Sequence, residues 1–174
     1  MKTHHLIAVL ITLLATSGCY LPMTGTVVDA ESGAPIEGAV LLVEWTKTNV
    51  GGGADPYTIS HKVAEAVSDR DGKVKMPGCF CPLANEPDVT VYKKGYVAWN
   101  NKFIFPDYKK RKDFRWGGDA FRMERFKDTY SYSDHESFVS RAINDTIGWE
   151  NKRLFIKIYE EGERKSLRAR IERT

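Results

Sequence analysis

Few residues in this chain have the types and spacing that chemistry requires. Cys79 and Cys81 flank Phe80, and His61 and His135 are the histidines beyond the first five residues. A zinc site needs about four tetrahedral ligands, usually a Cys-x2-4-Cys pair with a comparable second pair. A Cys-x-Cys with two isolated histidines does not meet that pattern, so no metal is expected. The two cysteines are expected as a local disulfide or as buried thiols, since Cα atoms two residues apart can fall in the roughly 4.4–6.8 Å disulfide window. Asp69-Arg70-Asp71-Gly72 has the opening of a calcium loop. That loop needs a third oxygen donor before its glycine and a glutamate six residues after it. The sixth residue after Gly72 is Gly78, and the segment reads as a turn. His61 is expected to pack on a strand face, and His135 to face solvent on the first turn of a helix. No Gly-x-Ser-x-Gly elbow occurs, and Gly51 to Gly53 lack the Lys-Ser/Thr of a phosphate loop. No catalytic residue and no cofactor are assigned, and the chain is not expected to be an enzyme.

The remaining cysteine stands in a different setting. Met1 to His5 carry one lysine, Leu6 to Ala15 are apolar apart from Thr12, and small residues Thr16, Ser17 and Gly18 precede Cys19. About ten apolar residues is signal-peptide length and too short for a bilayer, which takes about 20. The layout resembles the bacterial lipobox, whose cysteine is acylated through its thiol and becomes the first mature residue. Thr16 departs from that pattern, which usually has Leu there. The resemblance implies a lipoprotein signal peptide at 1–18, a lipid on Cys19 and a lipid-anchored tether at 19–23. An ordinary signal peptide would instead leave Cys19 as a free thiol. A lipid on Cys19 also leaves Cys79 and Cys81 as an even pair, as an oxidising compartment favours. Tyr20 replaces the Asp that commonly retains such proteins in the inner membrane. The expected location is therefore the cell envelope, lipid-anchored at the outer membrane and facing the periplasm.

The elements that would carry these residues read mainly as strands. Thr24 to Ala30 is β-branched, Ala39 to Trp45 is a continuous apolar run, and Ile59 to Val67 alternates. Lys73 to Met76, Val89 to Tyr92, Tyr96 to Trp99 and Ala120 to Met123 complete about seven short strands, with Lys93-Lys94-Gly95 as a hairpin-like turn. Gly51-Gly52-Gly53 is expected in a loop, and so is the charged stretch from Pro106 to Asp119. The pattern then becomes helical. Ser133 to Glu136 forms a capping box, Phe138, Val139, Ala142, Ile143 and Ile147 recur at helical spacing, and Gly148 is placed to end the helix. A second stripe runs through Leu154, Phe155, Ile158 and Tyr159, followed by Gly162 and a charged end with Leu167 and Ile171.

Gly25-Thr26-Val27-Val28-Asp29 with Ser32 to Val40, then Ser68 to Val74, then Val89 to Tyr96, resemble three blocks of carboxypeptidase regulatory-like domains in the order that family has them. The resemblance covers roughly residues 24 to 125. It implies a mainly β fold, a seven-stranded antiparallel β-sandwich like that of transthyretin, with residues 126–174 as a helical C-terminal extension. It implies no catalytic residues, because in metallocarboxypeptidases this domain accompanies a separate catalytic one. Transthyretin-like hydrolases end in Tyr-Arg-Gly-Ser, whereas this sequence ends Ile171-Glu172-Arg173-Thr174.

A net charge of +3 with 28% charged residues gives no heavily basic face, so no nucleic-acid partner is expected. Trp99, Phe103, Phe105, Tyr108, Phe114 and Trp116 crowd one stretch beside Lys109-Lys110-Arg111-Lys112. Of these, Trp99, Phe105, Tyr108 and Trp116 are the candidate ligand-contact rings if they are exposed. Burial in the core is the simpler reading. The expected function is a non-catalytic accessory module that docks an envelope protein near the membrane; the alternative is a glycan-binding module.

Overall fold

The computed structural model describes residues 19–49, 57–116, 120–143 and 151–171. The signal peptide expected at 1–18, the glycine run at 51–53 and the helix end expected at Ile147-Gly148 lie outside them. The chain is mainly β. Strand β1 (Cys19–Tyr20) pairs with β6 (Cys79–Phe80). A three-stranded sheet has β2 (Met23–Asp29) at its centre, between β5 (Lys73–Met76) and β11 (Ala120–Met123). A four-stranded sheet runs β4 (Tyr57–Val67), β3 (Val40–Asn49), β7 (Asp88–Tyr92), β8 (Trp99–Asn100). A small hairpin joins β9 (Phe103–Ile104) to β10 (Lys109–Lys110), and helices α1 (Tyr132–Ala142) and α2 (Arg153–Ile171) follow.

The wholly antiparallel arrangement expected from the sequence is corrected at one edge. Strand β11 runs parallel to β2, with Ala120 opposite Thr26 and Met123 opposite Asp29. A hairpin can only produce antiparallel neighbours, and the chain reaches β11 by a long crossover instead. The strand expected over Tyr96 to Trp99 is also shorter. Pairing of Thr90 with Asn100 and Val91 with Trp99 leaves a wide loop between them. Within that loop the Val97 amide donates to the Glu124 carbonyl and the Ala98 amide to His135, so neither is free for a ladder.

The run Ala39 to Trp45 is apolar because β3 is buried on both sides. Leu41, Val43 and Trp45 join Val27, Val74, Met76, Phe121 and Met123 in a core shared by the two larger sheets. Val40 and Leu42 point the other way, into a second core with Tyr92, Phe105, Phe138, Val139 and Phe155. A strand covered on both faces loses the alternation of a half-solvated one. Each large apolar side chain it buries contributes roughly 1.5–3 kcal/mol.

Polar groups on the helix-facing side of this sheet anchor the helices. Glu44 lies on that side, fully buried, and its Oε2 is 2.8 Å from Nζ of the equally buried Lys152. Lys152 Nζ also donates to the carbonyl of Ile143. One strand over, Glu65 accepts the amides of Leu154 at 3.1 Å and Phe155 at 2.7 Å. A carboxylate at a helix N-terminus satisfies orphan amides and meets the positive end of the helix dipole. Thr90 Oγ1 donates to the Ala142 carbonyl at the end of α1, and the Tyr92 hydroxyl donates to Glu163 on α2.

The start of α1 differs from the capping box at Ser133. Ser131 is the N-cap, its hydroxyl accepting the Asp134 amide at 3.2 Å. The extra residues at this end are held by Tyr132, whose ring lies 4.4 Å from that of Phe126. The other end also comes early, with Ile143 as C-cap.

Candidate functional site

The polar residues of the three motif blocks are engaged in holding the chain together. Asp29 Oδ1 accepts the amides of Glu31 and Ser32, each at 3.0 Å, which closes the turn after β2. Its Oδ2 accepts the Tyr96 hydroxyl at 3.1 Å and pairs with Arg125 Nε at 2.8 Å. The Ser32 amide is the main cause that holds this carboxyl down to about 2, with the Glu31 amide and Tyr96 hydroxyl adding to it. Ser68 Oγ donates to the Ile36 carbonyl at 2.7 Å and accepts the Ala39 amide at 2.9 Å, joining the second block to the first. Gly72, at φ +73°, lies so close to the Val27 carbonyl that any Cβ would collide with it. Asp69 Oδ1 accepts the amides of Asp71 and Lys73. This is the turn read from the sequence, with its acceptor turned to backbone.

The histidines exchange the environments expected of them. His135 is buried, not solvent-facing: its Nε2 accepts the Ala98 amide at 2.9 Å, and its ring packs on Phe105 and Phe126. Burial lowers its pKa to about 4, so it is neutral at physiological pH. His61, expected to pack, is exposed on β4. Among the described residues no group of three or more His, Cys, Asp or Glu side chains is arranged to hold a metal ion.

Cys19 opens β1 directly across from Phe80, and Tyr20 across from Cys79. The stretch 19–23, expected as a tether, is therefore docked on the domain. Tyr20 packs against Trp116 at 5.3 Å and Trp45 at 6.3 Å, Trp116 Nε1 donates to the Leu21 carbonyl at 3.0 Å, and Met23 is buried. Gly78 permits this docking, because a Cβ there would collide with the Tyr20 carbonyl. Cys79 and Cys81 are buried, with their sulfurs adjacent and their Cα atoms 5.3 Å apart, inside the disulfide window. Phe80 between them faces outward by strand alternation and is 74% exposed. Leu21 and Leu83 are 69% and 89% exposed.

The aromatic stretch divides between the two cores. Trp99 is buried against Phe114 and Phe121, and Phe105 is buried against Tyr130, His135 and Phe138. Tyr108 is half-buried on Phe138, with the Arg141 guanidinium 4.8 Å from its ring centre. Trp116 is half-buried in the Tyr20–Trp45 cluster. The four rings thus divide in pairs, Trp99 and Trp116 at the first core and Phe105 and Tyr108 at the second, and form no common platform.

What the sequence reading missed is the polar framework around the β9–β10 hairpin. Asn100 Oδ1 accepts the amides of Lys102 and Phe103, while Asn101 Oδ1 accepts the Val89 amide and its Nδ2 donates to the Pro87 carbonyl. Arg111 Nε donates to the Asn100 carbonyl at 2.7 Å, and its guanidinium lies 4.6 Å from the Trp99 ring centre. Burial lowers the pKa of this arginine, and Asp113 opposes the shift. Arg111 lines shallow clefts with Arg122 and Glu124 on one side and Lys102, Lys110 and Lys112 on the other. Paired Asn100-Asn101 after a strand is turn chemistry, and that was the available signal.

No family model matches the chain, and no curated protein matches it.

The local geometry therefore carries the functional reading. It offers exposed apolar side chains near the β1–β6 pair and clefts beside Arg111 lined by lysines and arginines together with Glu86 and Glu124. Of the titratable groups described, His135 is enclosed and Asp29 is held by its donors, while His61 is exposed and Glu124 lines a cleft.

Proposed function

We propose that the protein is a non-catalytic lipoprotein of the cell envelope, anchored through a lipid on Cys19. Its fold on this reading is a carboxypeptidase regulatory-like sandwich of seven strands, spanning about 24–125, with a helical C-terminal extension. The three-plus-four division of strands supports it, as does the interlocking of the motif blocks through Asp29, Ser68 and Tyr96. The role is that of an accessory module that docks an envelope protein, at the outer membrane and facing the periplasm.

The observation that carries a docking role over a catalytic one is the disposition of polar groups. Asp29, Ser68, Asn101 and His135 are engaged with backbone groups, whereas Lys110 and Lys112 at the cleft beside Arg111 are exposed to a partner. Of the candidate rings for stacking on a glycan, Trp99 and Phe105 are buried and Tyr108 and Trp116 half-buried.

In-cell crosslinking from Lys110 or Lys112, followed by mass spectrometry, tests the role. A reproducible envelope protein captured from both positions is expected. Recovery of envelope glycan without protein overturns it. The anchor has its own test: Cys19→Ser should abolish incorporation of labelled fatty acid and release the protein from membranes. Unchanged labelling removes that part of the reading.

A further inference from the structure

We infer that the edge formed by β1 and β6 is a bilayer-contacting surface, with Leu21, Phe80 and Leu83 entering the lipid interface beside the anchor. The inference rests on lipidation of Cys19 and adds to it an orientation for the whole domain.

The three side chains are the most exposed of the large hydrophobic residues described, and all three lie in or within three residues of the β1–β6 pair. Phe80 is the cross-strand partner of Cys19, Leu21 is two residues along from Cys19, and Leu83 follows Phe80 by three. Scattered apolar residues on a surface need no explanation, but a contiguous group marks an interaction site. Leu83 strengthens the case, because it stands at φ 63° in the turn after Cys81, where a bulky aliphatic residue is disfavoured. A Gly or Asn would suit that backbone better, and an exposed leucine there has no packing reason within the chain.

The occupant follows from where the anchor attaches. With Cys19 already in the β-ladder, no free linker separates an acyl chain from the domain. A lipid on Cys19 would draw its cross-strand neighbour to the headgroup level within one strand spacing of about 5 Å. Any protein competing for this edge would have to displace the membrane itself. The flanking residues fit an interface as well: Tyr20 and Trp116 are half-buried aromatics with polar tips, a type enriched at the headgroup level. Lys62, whose Nζ reaches the Gly78 carbonyl on the same edge, supplies a cation near anionic headgroups.

The test uses the full-length protein in its own membrane, with a photo-activated benzophenone residue placed at position 80, 83 or 154 in separate variants. Leu154 is a suitable control, being partly exposed but at the start of α2 on the helix-covered face. Phospholipid crosslinks at 80 and 83, several-fold above 154, are the expected result. Leu21→Ser together with Leu83→Ser should reduce the crosslink at 80, while fatty-acid labelling of Cys19 stays unchanged. Intact labelling with crosslinks at 80 to protein, or to no lipid, overturns the bilayer contact and leaves the anchor standing. Absence of labelled fatty acid on the wild-type protein removes both.

Discussion

The Tyr96 hydroxyl donates to Asp29 Oδ2 at 3.1 Å across 67 residues of chain, and Arg125 reaches the same oxygen. One carboxylate thereby joins the turn after the first long strand, the loop after β7 and Arg125, two residues past β11. Removing the Tyr96 hydroxyl with Phe should cost about 1 kcal/mol, the net worth of one such bond, measured as a lower urea midpoint at neutral pH.

Acid sensitivity follows from the same group. The folded carboxyl of Asp29 is held down to about 2, below the ordinary value of 3.8, chiefly by the Ser32 amide. A depressed folded value contributes stability that is present above the unfolded value and lost as the pH falls from about 4 through about 2. Asp29→Asn should flatten that limb of the stability profile. An unchanged slope between pH 4 and 2 in the variant would show that other carboxyls set it.

His135 governs a higher window. Its folded value near 4 lies below the ordinary 6.5 because burial disfavours the imidazolium. The unfolded chain then binds more protons between the two values, so stability should fall as the pH drops from about 6.5 to about 4. The full shift corresponds to about 3 kcal/mol. His135→Gln keeps an acceptor for the Ala98 amide and removes the titration, so its unfolding free energy should be nearly flat over that range. Persistence of the slope would be evidence against His135 as its source.

Much of this was legible in the residues, and the misreadings have physical causes. The apolar run from Ala39 and the turn glycines marked the strands because burial on both faces and left-handed backbone demand those residue types. His135 stands three and four residues before Phe138 and Val139, on the stripe that faces the core, so helical phase and not polarity decides its burial. Glu44 inside an apolar run should have announced a buried cation, but its partner Lys152 is 108 residues away and no local pattern names it. The docking of β1 was hidden for another reason, since a two-residue strand has no period to read.

The Glu44–Lys152 pair should behave as a buried ion pair does. Lys152→Met leaves a carboxylate buried without its cation and should cost roughly 3–5 kcal/mol. Replacing both, as Glu44→Leu with Lys152→Met, should recover most of that loss, because two apolar groups need no desolvated charge. Urea titration of the two variants distinguishes them. A double variant as unstable as the single one would mean that the pair is needed for more than charge balance.

Glu65 provides the last and most local test. Its carboxylate receives the amides of Leu154 and Phe155 from a neighbouring strand, so it both caps α2 and fixes that helix on the sheet. Glu65→Ala removes acceptor and charge together, and caps of this kind are worth about 0.5–2 kcal/mol. Glu65→Gln retains one acceptor and should lose less. The sensitive readout is hydrogen exchange at the two amides, which should quicken in the alanine variant well before global unfolding changes. The Phe155 ring is fully buried against Tyr92, so the helix should stay seated while its first turn opens. Unaltered exchange at both amides would mean that packing of Phe155, rather than the carboxylate, sets where α2 begins.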